Sequence, residues 1–210
     1  MKISVGAIRV LIADDHPMMR EGLRAAIDLE SDMQVVGEAV DGLDAIEKFR
    51  QLNPDVTLLD LQMPKRDGLQ VISDIRSSNP DSVIVVFTVY PGDARISRAL
   101  ALGATSYLLK SANRDEILAA VRGAISGNYV MGAEVSRELM NHRRDLDLTQ
   151  REICVLKHVK TGMSNRAIAE ALFVSEDTIK SHLKSIFLKL GVADRTHAVT
   201  IAVRRGFIDT

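Results

Sequence analysis

Two rhythms of apolar and polar residues divide this chain. Up to residue 124, short, mainly apolar runs alternate with longer stretches in which apolar residues recur every three or four positions. The runs fall at 10–13, 34–38, 56–59, 83–87 and 106–109, and they are rich in Val, Ile and Leu. The periodic stretches fall at 18–29, 43–52, 69–77, 94–102 and 114–124. Near-continuous Val, Ile and Leu runs suit strands buried on both faces. Strands that alternate with amphipathic helices form parallel sheets covered on both sides. The expectation for residues 8–124 is therefore a five-stranded, doubly wound parallel α/β sheet. Such sheets bind ligands at the carboxyl ends of their strands, which is where chemistry is to be sought.

From Thr149 onward the strand rhythm stops. Thr149-Gln150-Arg151-Glu152 is a capping box that opens a helix. Ser164, Ser175 and Asp194 can cap three more, and Gly162, Gly191 and Gly206 fall where helices should end. Residues 148–210 are thus expected to form an all-α unit of four helices. Residues 125–147 hold Gly127, Gly132 and the polar run 141–145, and read as a linker with a short helix at 134–140.

Composition sharpens this picture. Hydrophobic residues make up 46% of the chain, enough for two cores. The single cysteine, Cys154, leaves no internal disulfide framework and fits a reducing cytosol; its place on the first late helix suggests core packing. The apolar start at 8–13 is cut short by Asp14-Asp15, so neither a signal peptide nor a membrane span is expected. A cytoplasmic protein with no membrane partner is the expectation. The net charge of −1 conceals an asymmetry: residues 1–145 carry 17 Lys and Arg against 21 Asp and Glu, and residues 146–210 carry 10 against 7. Of the two parts, the basic one is the candidate for meeting an anionic polymer.

Four of the predicted strands end in a polar residue: Asp14-Asp15, Asp60, Thr88 and Lys110. Neighbouring strands lie about 5 Å apart, so these side chains should converge. Three carboxylates at one point repel and need a cation to stay ionised together, and a hard divalent ion such as Mg²⁺ suits oxygen ligands. Singly, each residue has an ordinary reading: Asp15 as a helix cap, Lys110 as a solvated strand end. Jointly, at one edge of one sheet, they make a phosphoryl-transfer site, with Asp60 as nucleophile and Lys110 and Thr88 on phosphoryl oxygens.

These residues sit in longer motifs: Val10-Leu11-Ile12-Ala13-Asp14-Asp15-His16, then Pro54-Asp55-Val56-Thr57-Leu58-Leu59-Asp60-Leu61-Gln62-Met63-Pro64 with Asp67-Gly68, then Gly103-Ala104 to Tyr107-Leu108-Leu109-Lys110. Together they make residues 9–124 resemble the receiver domain of two-component response regulators, whose fold is flavodoxin-like. The resemblance implies that Asp60 is the phosphoacceptor for a sensor histidine kinase. It makes Asp15, Asp60 and the Gln62 carbonyl direct Mg²⁺ ligands, with Asp14 acting through a water, and it makes Thr88 and Tyr107 a switch pair. Two residues depart from the family pattern. Val89 stands where Ala or Gly is usual, which implies slower phosphoryl entry or hydrolysis, and Ser111 stands where many receivers have proline.

In the second part, Ile179, Leu183, Ile186 and Leu190 stripe one face of a helix, and Asp177, Lys180, Ser181 and Lys184 are rotated away from it. An exposed face with two lysines, on the second helix of a turn, suits a major groove; by itself it also suits a merely solvated face. Leu148-Thr149-Gln150-Arg151-Glu152, Gly162-Met163-Ser164-Asn165, Ile168-Ala169, Val174-Ser175, Thr178-Ile179-Lys180-Ser181-His182, Lys189-Leu190-Gly191-Val192 and Asp194-Arg195-Thr196 resemble the LuxR/NarL-type helix-turn-helix. That resemblance implies DNA contacts by Thr178, Lys180, Ser181, His182 and Lys184, and a dimer contact through Val199 and Val203. The chain as a whole reads as a transcriptional regulator rather than an enzyme, dimerising on an inverted DNA repeat when phosphorylated. The rival readings are a phosphatase with an aspartate nucleophile, and a constitutive DNA binder whose first domain only dimerises.

Overall fold

The computed structural model describes residues 6–89, 92–128, 130–133, 135–136 and 148–209. The chain forms two compact units.

In the first unit the elements are β1 (Ile8–Ala13), α1 (Pro17–Asp28), β2 (Met33–Ala39), α2 (Gly42–Leu52), β3 (Val56–Leu59), α3 (Gly68–Ser78), β4 (Val83–Thr88), α4 (Asp93–Ala101), β5 (Ser106–Leu109) and α5 (Arg114–Ile125). All strand pairs are parallel, in the order β2-β1-β3-β4-β5. Each predicted strand and helix is present, with ends moved by at most two residues. The apolar runs of β1, β3, β4 and β5 are buried on both faces, whereas the edge strand β2 is mostly half-buried. Val10, Ile12, Leu58 and Val85 share one core with Leu23 and Ile27 of α1 and Val121 of α5. Their sequence neighbours Leu11, Leu59 and Val86, which point the other way, are at 0% exposure too. Strand order reverses between β1 and β3, so the chain leaves their carboxyl ends toward opposite faces and opens a crevice there.

Helix starts are chemically marked. Asp41 accepts from the amides of Leu43 and Asp44 to cap α2, Asp67 accepts from that of Gln70 to cap α3, and Asn113 with Glu116 forms a capping box on α5. The residue before α1 is His16, whose side chain makes no cap, with Pro17 in the first turn. Asp15 is therefore not used as a cap, which removes its ordinary reading.

After α5 the chain lies along β5. The Tyr107 amide donates to Val130 O (3.3 Å), the Gly132 amide donates to Tyr107 O (3.3 Å), and Val135 is fully buried. The early part of the predicted linker is thus packed on this unit. Most of the helix expected at 134–140, and the polar run 141–145, lie outside the described residues.

The second unit holds α6 (Gln150–Lys160), α7 (Asn165–Leu172), α8 (Glu176–Leu190) and α9 (Arg195–Arg204). The caps are the predicted ones: Thr149 with Glu152, Ser164, Ser175 and Asp194. Gly162, Gly191 and Gly206 follow helices with φ of 80°, 66° and 79°, the left-handed geometry that ends a helix. Val155, Leu156, Ile168, Ile179, Leu183 and Ile186 form the core. Cys154 is half-buried and outside that cluster, so it is a margin residue rather than core. Among the described residues, no helix is long and apolar enough to cross a membrane.

Candidate functional site

The crevice at the carboxyl ends of β1 and β3 gathers the residues the sequence singled out. Carboxylate oxygens of Asp14, Asp15 and Asp60, with a ring nitrogen of His16, all lie within 4.8 Å of one another. Asp14 and Asp60 are nearly inaccessible, at 1% and 3% exposure. The Asp60 carboxylate is held on both oxygens: the Gln62 amide donates to Oδ1 (3.2 Å), and Lys110 Nζ donates to Oδ2 (2.7 Å). Lys110 comes from the end of β5 and also pairs with Asp14 Oδ2 at 2.7 Å. Burial works against the ammonium charge, but hydrogen bonds and attraction from Asp14 and Asp60 outweigh it and raise the Lys110 pKa. Lys110 is therefore a fixed cation at neutral pH.

Whether these residues fit a divalent ion is decided by the charges and the oxygens. Three carboxylates face one lysine, which leaves two formal negative charges for a divalent cation to balance. Asp14 Oδ2 has the Lys110 ammonium at 2.7 Å, Asp15 Oδ1 has His16 Nδ1 at 2.7 Å, and neither buried oxygen has a further donor among the described residues. Hard, incompletely satisfied oxygens are the donor set that Mg²⁺ prefers. The residues fit.

Thr88 and Tyr107 flank this pocket on β4 and β5. Thr88 is fully buried, its carbonyl accepts from the Lys110 amide (2.8 Å), and its hydroxyl has no partner. Tyr107 is at 0% exposure, so its ring points inward. Val89, next to Thr88, is 59% exposed at the rim. The described peptide bonds are all trans, Lys110–Ser111 included.

Three neighbours of the pocket were not singled out as site residues from the sequence. His16 contacts both early carboxylates, its amide donating to Asp14 Oδ1 at 2.9 Å. Arg20 donates to the Asp14 carbonyl (2.8 Å) and steadies the end of β1. Lys65 donates to Asp41 (2.6 Å), across 24 residues. His16 could have been found from its place in the motif. The other two carry no local signal.

In the second unit, α7 ends at Phe173, in the left-handed region with φ of 55°, and Ser175 caps α8. This is a helix-turn-helix. Lys180, Ser181 and Lys184 are exposed on α8, while Thr178 and His182 are half-buried. Thr178 is part of the cap, its hydroxyl 2.8 Å from that of Ser175. Lys180 pairs with Asp177 (3.0 Å) and Glu176 (3.5 Å). Asn165, at the start of α7, lines a shallow cavity of about 300 Å³ with Lys180, Leu183, Lys184 and Phe187. Val199 and Val203 on α9 are half-buried against the core.

Family models match both units: the response regulator receiver domain over residues 10–122, and the luxR family of bacterial regulatory proteins over residues 146–202. The chain is a response regulator. Its similarity to known relatives covers nearly the whole chain. The transcriptional regulatory protein YxjL of Bacillus subtilis is 38% identical over 212 residues, covering 96% of this chain and 97% of that protein. The response regulator VraR of Staphylococcus saprophyticus is 38% identical over 206 residues, covering 96% and 99%. Among solved structures, RcsB of Salmonella enterica serovar Typhimurium, bound to promoter DNA in the presence of the phosphomimetic BeF3-, aligns with a TM-score of 0.75 and 30% identity over 93% of this chain and 98% of its own. This response regulator thus combines a flavodoxin-like receiver with a LuxR-type DNA-binding domain, and its class of activity is transcription regulation.

Proposed function

We propose that phosphorylation of Asp60 by a partner histidine kinase controls binding of this regulator to double-stranded DNA. The observation that carries the reading is the convergence of Asp14, Asp15, Asp60 and Lys110 at the ends of three strands. An Asp60 oxygen attacks the phosphorus of a phosphohistidine, the N–P bond breaks, and its electron pair returns to the imidazole. Lys110, already on Asp60, follows the incoming phosphoryl group and pairs with one of its oxygens. The free Thr88 hydroxyl donates to another. Asp15, Asp60 and the Gln62 carbonyl would hold Mg²⁺, with Asp14 acting through a water; the ion supplies charge neutralisation during transfer.

The acyl phosphate adds about two negative charges beside Thr88 and Lys110. Thr88 and the buried Tyr107 are the elements that register it, biasing a two-state receiver. Phosphorylation then favours a homodimer through Val199 and Val203, with two α8 helices set about 34 Å apart on an inverted repeat. Thr178, Lys180, Ser181, His182 and Lys184 face the DNA. The DNA-bound RcsB relative, in a phosphomimetic state, supports this reading. The protein acts in the cytoplasm, on DNA rather than on phosphate esters. The domain limits that go with this reading are 8–124, 125–147 and 148–210.

The test is labelling by acetyl phosphate with Mg²⁺. The wild type should take up one phosphoryl group and Asp60→Asn none. Full labelling of Asp60→Asn at another residue overturns the assignment.

A further inference from the structure

Two of the oxygens assigned to the cation, Asp60 and the Gln62 carbonyl, ride on the loop from β3 to α3, and that loop is fastened from two sides. From α3, the Gly68 amide donates to Leu61 O (2.9 Å), and a Cβ at Gly68 would lie 2.4 Å from Asp60 O. From α2, the Gly42 amide donates to Pro64 O (3.3 Å), and a Cβ at Gly42 would lie 1.9 Å from Arg66 O. Both helices therefore press their starts against the loop with no room for a side chain.

The α2 contact has a charged lock. Asp41 is 4% exposed and uses its two oxygens differently. Oδ1 accepts from the amides of Leu43 and Asp44 (3.0 Å each), and Oδ2 accepts from Lys65 Nζ (2.6 Å). The Lys65 hydrogen bond, with the capping amides behind it, holds the Asp41 carboxyl below its usual range, and Asp41 in turn raises Lys65. Lys65 has a φ of 65°, a conformation that non-glycine residues adopt at a cost. Glycine would relieve that cost but could not reach Asp41.

We propose that the Lys65–Asp41 pair is a positioning device for the divalent cation, holding the β3–α3 loop so that the Gln62 carbonyl stays in register with the Asp60 and Asp15 carboxylates. It rests on the cation-dependent reading of the pocket. Lys65 touches neither Asp60 nor Lys110 through its side chain; it acts through the backbone of residues 62–65. Partners outside the ligand shell set ligand orientation, and losing one costs about 10- to 100-fold in metal affinity. A pair that acts through a short stretch of backbone belongs at the lower end of that range.

The test uses the full chain without phosphodonor, with Mn²⁺ as the probe, read by electron paramagnetic resonance and by Mg²⁺ competition. Lys65→Met keeps the backbone cost and the chain length but breaks the pair. Asp41→Asn keeps an oxygen for the α2 cap and breaks the same pair from the other side. Each should weaken Mn²⁺ binding by about 10-fold, and the double variant should be no weaker than either single one. Lys65→Arg should recover most of the loss. In acetyl phosphate labelling, both variants should need more Mg²⁺ for half-maximal rate and reach the wild-type rate at saturation. Wild-type Mn²⁺ affinity in Lys65→Met overturns the proposal, as do additive losses in the double variant or a reduced rate at saturating Mg²⁺. If the wild type itself binds no Mn²⁺, the reading of the pocket falls, and the positioning role falls with it.

Discussion

Glu152 in the DNA-binding unit gives a quantitative test of how the reading helix is anchored. Its carboxylate is 4% exposed and accepts from the Thr149 amide (2.7 Å), from Ser185 Oγ (2.7 Å) and from Lys189 Nζ (2.8 Å), the last two on α8. Burial raises its pKa, but Lys189, Ser185 and Thr149 together prevail and lower it from 4.5 to about 2. At about 1.4 kcal/mol per unit, that depression corresponds to roughly 3 kcal/mol of stability at neutral pH. Glu152→Gln keeps the capping geometry and loses the charge, so it should cost about 2–3 kcal/mol. For a unit of this size that is a fall in Tm of about 10–20 °C. The sign of the pH dependence follows from the lowered pKa. The wild-type advantage is fully present above the ordinary carboxylate range and is lost as pH falls through about 2. The gap between wild type and variant should therefore narrow below about pH 4.5 and nearly close at pH 2. Calorimetry of the full chain at a series of pH values reads both. A gap below about 0.5 kcal/mol at pH 7, or one that stays constant to pH 2.5, refutes the reasoning.

Other expectations are simpler. Lys110→Met removes the cation that pairs with Asp14 and Asp60; acetyl phosphate labelling should be nearly abolished while Mn²⁺ binds several-fold more tightly, and unchanged Mn²⁺ affinity would contradict the charge balance. Lys180→Ala should relax choice at one base pair by about 1–3 kcal/mol rather than weaken all sequences equally, and a randomised operator library distinguishes the two. Phe173 is 96% exposed and left-handed, so Phe173→Gly should raise stability by about 0.5–1 kcal/mol in urea unfolding; a loss would mean the ring packs against something after all.

Most of the sheet was legible because β1, β3, β4 and β5 are buried on both faces, and continuous apolar runs such as 10–13 and 83–87 alternate with amphipathic helices. The caps of the late helices were legible because Thr149, Ser164, Ser175 and Asp194 each accept from an amide three residues on, a purely local bond. The acidic residues and Lys110 could be placed at one edge from strand ends alone. What could not be read is which atoms meet. That Lys110 bridges Asp14 and Asp60, that Glu152 reaches Ser185 and Lys189, and that Lys65 reaches Asp41 all depend on pairings across 24 to 96 residues. The packing of residues 130–133 and of Val135 on the first unit escaped for another reason. That stretch has neither alternation nor helical period, and its hydrogen bonds with Tyr107 are made along the outer edge of β5.

The central claim is that phosphorylation of Asp60 governs DNA binding. The most direct measurement is a titration of the full chain against inverted-repeat DNA, with sedimentation in parallel, with and without acetyl phosphate and Mg²⁺, beside Asp60→Asn treated in the same way. Phosphorylation should raise the dimer fraction and tighten DNA binding together, and Asp60→Asn should show neither change. Equal dimerisation and equal affinity with and without phosphodonor in the wild type would contradict the account, even if Asp60 still carries the label.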